Sequence, residues 1–420
     1  MTLQQIKKTA LVSLWFVFLT FPIMVIRVNT ITQTITWRWH NMAFIALGTF
    51  FGGLLWRLAL DRKPASARQA KQPEVLTEDP DVTDVKAESG IARRLGILRV
   101  KVAQKRTRRS LIALAVFSAL LFPHLSSLYQ TNIMITALIY VMLALGLNIV
   151  IGLGNMLHLG YIAFFAVGAY TYGLMHQYLG LGFWAALPVA AVLSTLAGIL
   201  LALPVLRLRG DYLAIVTLGF AEIVRILLNN ARNLTGGPAG ISGIPRPSFF
   251  GMTMNLYQVS IYIYYIVLAA VVLTVFVVWR FENSRIGRAL VAMGEDDIAA
   301  EAMGVDISRV KLTAFALGSL WAGIGGVIFA SRTAFINPAS FTVWQSIIVL
   351  SCVVLGGMGS IPGVIIGALG LILIPEYLRA FSDYRMLVFG AILVTMMVFR
   401  PGGLIQKRRR AYTFHVEEQK

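Results

Sequence analysis

Two charged side chains interrupt an apolar segment and are the first residues whose types and spacing could do chemistry. Glu222 and Arg225 lie three positions apart in the apolar run 211–228. On a helix this spacing puts both side chains on one face, where they can form an ion pair. Charges inside a membrane are costly enough to mark functional sites. Two interpretations stay open for the pair, a role in gating or coupling and an internal salt bridge that holds the bundle together.

A second group of charges lies in a long connection between two apolar runs. The segment from Gly287 to Phe315 is acidic and alanine-rich, and it contains a glycine that can end a helix. About thirty residues is long for a connection in a compact bundle. The pattern predicts an amphipathic helix that can fit a groove on a partner protein. The alternative is a solvated surface helix.

Regularly spaced glycines form the third feature. Gly359, Gly363 and Gly367 recur at every fourth position and predict a smooth stripe on one helical face, against which another helix can pack closely. The stretch from Gly152 to Tyr170 opens with a similar interruption by glycines. Short broken helices frame the substrate path in several transporters, so we expect these glycines near such a path.

Residue patterns typical of enzymes and metal proteins do not occur in the sequence. It has no G-x-x-x-x-G-K-[ST] string, the loop that cradles nucleotide phosphates. The single cysteine, Cys352, excludes a disulfide framework. The histidines lack the spacing of a metal site; they are His40, His124, His158, His176 and His415. We therefore expect a chain that is not an enzyme and binds no metal, with any ATP hydrolysed on another chain.

The composition indicates that these elements lie in a bilayer. Of 420 residues, 57% are hydrophobic and 13% are charged, whereas soluble proteins carry about 25% charged residues. A spanning helix needs about 20 mostly apolar residues. Such runs occur at residues 11–26, 42–60, 110–129, 131–151, 155–178, 183–205, 211–228, 257–279, 312–331, 343–374 and 384–399.

The basic residues, which give a net charge of +18, orient these runs because they gather on the cytoplasmic side. The segment from Arg57 to Arg109 alone holds 14 of them. The run 343–374 is ambiguous, since the string GGMGSIPG in its middle suits either one long span or two short helices. If this run forms two helices, 29 basic residues lie on the cytoplasmic side of the membrane and 7 on the outer side, and both termini are cytoplasmic. The charge is thus explained by topology and not by nucleic-acid binding.

The sequence therefore predicts an all-α polytopic membrane protein with about 10–12 transmembrane or re-entrant helices. Four regions follow along the chain. Residues 1–60 form a two-helix membrane annex, residues 61–109 a basic cytoplasmic linker that is rich in proline and charge in its first half, residues 110–405 the main transmembrane domain, and residues 406–420 a basic cytoplasmic tail.

Several strings, in order, resemble the permease subunits of the branched-chain amino-acid ABC importers, on the LivM-like side of the LivH/LivM pair. The resemblance covers roughly residues 110–405. Its strings are LNIVIGLGNMLHLGYIAFFAVGAY, LRLRGDYLAIVTLGFAEIVRIL, TGGPAGISGIP, KLTAF, VVLGGMGSIPG and FRPGGL.

The resemblance implies an inner-membrane permease that forms half of a translocation path for leucine, isoleucine and valine. The implied partners are a LivH-like second permease, two cytoplasmic ATPases that bind ATP and Mg²⁺, and a periplasmic amino-acid-binding protein. It also implies a loop that couples to the ATPases, which corresponds here to Gly294, Glu295, Asp296, Asp297, Ala299, Ala300 and Gly304. Ile298 stands where that loop usually has an acidic residue, and no I-x-L-P string follows.

Two other transporter classes remain as alternatives. A urea- or amide-importing ABC permease resembles the chain over the same strings. An ion-coupled secondary transporter would need acidic or histidine side chains along a path, for which Glu222 alone qualifies. A membrane enzyme is disfavoured because no catalytic arrangement is evident.

Overall fold

The structure is a computed structural model. It describes residues 26–29, 34–37, 116–206, 208, 210–247, 255–377, 385–400 and 402–405. The chain divides into two compact units, Met1–Arg94 and Leu95–Lys420. In the first unit, strands β1 (Ile26–Asn29) and β2 (Thr34–Trp37) pair in antiparallel fashion, with Ile26 opposite Trp37. The predicted spans 11–26 and 42–60 lie outside the described residues apart from Ile26, as do the linker, His40, His415 and the basic tail.

The second unit is a helical bundle, as the sequence predicts. Its helices are α1 (Val116–Leu125), α2 (Leu128–Asn148), α3 (Ile162–Leu179), α4 (Phe183–Val205), α5 (Gly210–Asn230), α6 (Arg232–Thr235), α7 (Leu256–Glu282), α8 (Arg285–Glu295), α9 (Asp297–Ala302), α10 (Ile307–Thr333), α11 (Val343–Gly356), α12 (Ile361–Tyr377) and α13 (Arg385–Phe399). Strands β3 (Ile241–Ser242) and β4 (Phe335–Ile336) pair in antiparallel fashion and connect the loops after α5 and α10.

Five helical segments of the described residues are long and apolar enough to cross a membrane. They are Leu128–Leu153, Phe183–Val205, Leu256–Glu282, Ile307–Thr333 and Pro338–Gly356. Each coincides with a run predicted from hydropathy. A helix with these properties satisfies its backbone hydrogen bonds internally, which the hydrocarbon of a bilayer requires.

Helix α10 is the centre of the bundle and packs against α2, α3 and α4. Glycines bring its backbone close to its neighbours. A Cβ atom at Gly168 of α3 would overlap the backbone of Gly323, and one at Gly326 would overlap the carbonyl oxygen of Phe165. Small residues are typical of such contacts because apolar side chains gain little by leaving lipid, and close van der Waals packing must hold the helices together.

Two breaks interrupt the spans. Helix α2 ends in a π-helical turn, Ile149–Leu153, and α3 begins only at Ile162. Between them the backbone of Asn155 has a positive φ of 51°. The run predicted from residue 155 is therefore not helical in its first residues, since residues 155–160 form an irregular connection.

The second break divides the ambiguous run 343–374. Helices α11 and α12 are separated by residues 357–360, so the prediction of two short helices is confirmed. Gly357 has a φ of 115°, which favours glycine and ends α11. Atoms of Gly356 lie where Cβ atoms on Gly363 and Gly367 would be, so α12 folds back on α11 as a tight hairpin.

Candidate coupling and gating site

The predicted amphipathic segment after α7 is two helices, α8 and α9, instead of one. Helix α8 begins after Ser284, whose Oγ accepts a hydrogen bond from the amide of Gly287 at 3.0 Å. Helix α9 ends before Gly304, whose φ of 84° fits the predicted glycine stop. We call residues 285–304 the coupling segment.

Asp296 divides the coupling segment. Its Oδ1 accepts hydrogen bonds from the amides of Ile298 and Ala299, each at 3.0 Å. This is N-cap geometry, which satisfies amides that have no partner within the helix. The cap starts α9 in a new direction, and this explains why the segment is not one continuous helix.

One face of the coupling segment is buried against the break after α2. Leu290, Met293 and Ala300 are buried. A Cβ atom on Gly294 would lie 2.9 Å from the carbonyl oxygen of Leu153. The side-chain amide of Asn155 also donates a hydrogen bond to the carbonyl oxygen of Gly294 at 3.4 Å. The segment is therefore packed onto the bundle and is not a free surface helix.

The opposite face of the segment is exposed and partly apolar. Ile298 is 67% exposed and Met303 is 85% exposed. Glu295, Asp296 and Ala299 are exposed too, whereas Asp297 is half-buried. Exposed apolar side chains with charged neighbours are typical of protein interaction sites.

The structure brings Glu222 and Arg225 together, as their spacing predicts. Arg225 Nε donates to both carboxylate oxygens of Glu222 at 3.0 Å, and its Nη2 donates to Oε1. The side chain of Glu222 is 38% exposed and that of Arg225 is 32% exposed. They lie on α5 between its buried residues, such as Ala221, and exposed apolar residues such as Ile223. The pair is thus not enclosed within this chain.

The prediction that Gly359, Gly363 and Gly367 share one helical face is wrong for Gly359. Gly359 lies in the turn before α12 with a φ of 76° and is not on the helix. Residues 357–360, GMGS, form a turn in which Gly357 and Gly359 both have a positive φ. Gly363 and Gly367 do share a face, which packs against Gly356.

The two breaks meet each other inside the bundle. The amide of Gly359 donates a hydrogen bond to Oδ1 of Asn148 at 2.9 Å. At the other end of the first break, the amide of Ile162 donates to Oγ of Ser346 at 3.0 Å, and the amide of Leu159 donates to Oγ1 of Thr217 at 3.1 Å. Side-chain oxygens therefore satisfy backbone amides that the break leaves without helical partners.

Sequence reasoning missed these side chains. Asn148, Thr217 and Ser346 are isolated polar residues in apolar runs, and each is buried. That isolation was the available signal, since a polar group inside a membrane domain needs a hydrogen-bond partner. His158, one of the histidines without metal-site spacing, lies in the first break. Its ring stacks on Phe164, and neither ring nitrogen has a hydrogen-bond partner among the described residues.

Comparison with known proteins identifies relatives of the chain. Residues 129–397 match the protein family described as the permease component of the branched-chain amino acid transport system. The permease protein LivM of the high-affinity branched-chain amino acid transport system of Salmonella typhimurium is 46% identical over 328 residues, which cover 73% of this chain and 76% of the relative. Its Escherichia coli K12 counterpart is 46% identical over 319 residues, which cover 71% and 75%.

A more distant relative transports a different compound. The autoinducer 2 import system permease protein LsrC of Escherichia coli O9:H4 is 26% identical over 227 residues, which cover 51% of this chain and 63% of the relative. No solved structure matches the chain.

Proposed function

The chain belongs to the family of branched-chain amino acid transport permeases, and from this premise we propose that it is a permease subunit of an ATP-driven importer of leucine, isoleucine and valine. It forms half of the translocation path and lies in the bacterial inner membrane with both termini in the cytoplasm. The substrate assignment rests on relatives that are 46% identical over about three quarters of their length. The urea-type permease and the ion-coupled transporter have no such support.

The observation that best supports coupling to ATPases is the two-sided coupling segment. Leu290 and Gly294 pack against the break after α2, while Ile298 and Met303 remain exposed. A segment that touches the transmembrane helices on one side and offers apolar side chains on the other can transmit movement from a partner. In this proposal the partners are two cytoplasmic ATPases, which bind ATP and Mg²⁺ and hydrolyse the nucleotide.

The ion pair on α5 supports a second permease subunit. Glu222 and Arg225 are each about one-third exposed in the isolated chain. Facing lipid, such a pair would lose its hydration, and the attraction between the two charges would recover only part of that cost. We therefore assign this side of α5 to the contact with a LivH-like permease or to the water-filled path between the two subunits, where the pair acts in gating.

The path needs no tight substrate site in this chain. Branched-chain side chains are apolar, and a hydrophobic pocket distinguishes them by only about 1 to 3 kcal/mol per methylene. A periplasmic amino-acid-binding protein therefore supplies most of the selectivity. The permease supplies two access states, which ATP binding and hydrolysis bias. The close packing of Gly363 and Gly367 on Gly356 forms a rigid helical hairpin beside the path.

Purification of the tagged chain with its companions tests this proposal. We expect two ATPases and one further permease to co-purify from the native membrane. Uptake of labelled leucine by cells that carry the complex should be reduced by excess isoleucine or valine and unaffected by urea. Inhibition by urea, or uptake that follows the proton gradient without ATP, would contradict the proposal and favour one of the two alternatives.

A further inference from the structure

Asn148 connects the two broken spans directly. It is the last residue of α2 before the π-helical turn and is 1% exposed. Its Oδ1 accepts the hydrogen bond from Gly359. The amide nitrogen of Gly359 is a donor, so the oxygen of the Asn148 side chain must face it. The contact thus holds the turn between α11 and α12 against the end of α2.

The absence of a side chain at Gly152 leaves room for this contact. A Cβ atom at Gly152 would overlap both Oδ1 of Asn148 and the amide nitrogen of Gly359. Any larger residue at position 152 would therefore push apart the two groups that form the hydrogen bond. The π-helical turn that contains Gly152 is a rare geometry that is frequent at functional sites.

The coupling segment contacts the same turn two residues further along. A Cβ atom at Gly154 would lie 2.9 Å from Cδ1 of Leu290, and Gly294 lies against the carbonyl oxygen of Leu153. The π-helical turn and Gly154 are thus in contact with the coupling segment at one end and with the Asn148–Gly359 hydrogen bond at the other. Packed groups of this kind carry energetic coupling between distant sites.

The turn after α11 is also tied to the segment after α13. The amide of Leu404 donates to the carbonyl oxygen of Leu355 at 2.9 Å, and that of Ile405 donates to Gly356 at 3.1 Å. A displacement of the turn therefore moves α11, α12 and the end of α13 together.

The side-chain amide nitrogen of Asn148, Nδ2, is buried and has no hydrogen-bond partner among the described residues. A buried donor without a partner costs free energy, so the arrangement is not the most favourable one for this side chain. In a second conformation Nδ2 could find a partner and recover that free energy. The Asn148 side chain is therefore suited to switch between two arrangements.

We propose that Asn148 is a positioning residue that couples the α11–α12 hairpin to the coupling segment, so that ATP-driven movement of the coupling segment reaches the hairpin through the π-helical turn. This inference rests on the proposed function, because it presumes ATPases that move the coupling segment. It adds a specific route between those ATPases and the membrane helices.

The test is the amount of leucine transported for each ATP hydrolysed by the complete complex in proteoliposomes. In Asn148→Leu the side chain keeps a similar size and loses its acceptor. We expect the complex to assemble and hydrolyse ATP while the transported leucine per ATP falls about fivefold or more. Asn148→Asp, which keeps an acceptor of the same shape, should recover part of the ratio.

Gly152→Ala gives a second measurement in which the residue at position 148 is still asparagine but its contact with Gly359 is forced apart, and it should lower the same ratio. The matched control is Gly146→Ala on the same helix. The atoms nearest to a Cβ there belong to Tyr161, Trp321 and Gly318. The crowding is therefore directed at α10 and the start of α3, and the ratio should stay at the wild-type value.

The inference is overturned if Asn148→Leu and Gly152→Ala keep the wild-type ratio, or if Gly146→Ala lowers it equally. Failure of both Asn148→Leu and Gly152→Ala to assemble would also overturn it, since Asn148 would then be only a structural residue. Absence of ATP-driven leucine uptake by the wild-type complex would instead refute the proposed function.

Discussion

Asn155 donates a hydrogen bond from its side-chain amide to the carbonyl oxygen of Gly294, 3.4 Å away and 139 residues further along the chain. The contact joins the break after α2 to the coupling segment. Because the coupling segment is buried on this side, a force applied to its exposed side must act on the broken span. The predictions below test this mechanical connection and the elements that support it.

Gly294→Ala should loosen the connection. The new methyl group would lie 2.9 Å from the carbonyl oxygen of Leu153, a backbone atom, so α8 or the π-helical turn must shift. Overpacking of this kind costs about 1 to 3 kcal/mol. We expect a lower rate of leucine uptake at an unchanged amount of complex. Gly182→Ala is the control, since no atom lies within 4 Å of its Cβ position; an equal effect there would refute the prediction.

Ile298→Ser should weaken binding of the ATPases. Ile298 is 67% exposed, so the substitution removes apolar surface from the proposed interface without disturbing the packing of this chain. Burial of such a side chain contributes about 1.5 to 3 kcal/mol, so we expect at least a tenfold weaker association, measured by titration of purified ATPase onto the permease pair. Unchanged affinity would argue against this surface as the ATPase contact.

Two variants of Asp296 distinguish the contribution of its charge from the contribution of its helix cap. Asp296→Asn keeps an oxygen that can accept from the amides of Ile298 and Ala299 and removes the charge, whereas Asp296→Ala removes both. Loss of an N-cap costs about 1 kcal/mol. Because the structure assigns the carboxylate to capping, ATPase binding should fall in Asp296→Ala and persist in Asp296→Asn. The reverse order would indicate that the charge itself contacts the partner.

Glu222→Gln should impair uptake while the protein stays in the membrane. The variant leaves Arg225 without its carboxylate partner, which disfavours the arrangement seen here. The exchange Glu222→Arg with Arg225→Glu distinguishes the two interpretations of the pair. Normal uptake by the exchanged variant would reduce the pair to a structural salt bridge, and a membrane-inserted but inactive variant would support gating.

Lys311→Met should destabilise the bundle near the coupling segment. Lys311 is 6% exposed, and its Nζ donates to the carbonyl oxygen of Leu206 at 3.0 Å, beyond the last turn of α4. A hydrogen bond from a charged donor contributes about 1.5 to 3 kcal/mol, so the midpoint of thermal unfolding in detergent should fall. Arg309→Met is the matched control, because Arg309 is exposed and forms a surface ion pair with Asp306.

Features that depend on nearby residues or on the summed charge of the loops could be predicted from the sequence. Hydropathy predicted the five membrane-span candidates of the described residues, and the balance of basic residues predicted the division of the run 343–374. Both signals are local or additive, so they need no knowledge of neighbouring helices. The pairing of Glu222 with Arg225 was equally local, since three residues on a helix fix their separation.

Contacts between distant segments could not be predicted in this way. Asn148 and Gly359 are 211 residues apart, and nothing in either local pattern names the other as a partner. The cap at Asp296 is a different case, because an aspartate before a short helical run is a known start signal and the residue type alone indicates a second helix there.

The central claim is that this chain is a passive permease driven by ATPases on other chains, and uptake by proteoliposomes tests it most directly. Vesicles with the permease pair, the ATPases, the binding protein and internal ATP should accumulate leucine against its gradient, and vesicles without the ATPases should not. Accumulation by this chain alone, or ATP hydrolysis by it without the ATPases, would contradict the claim.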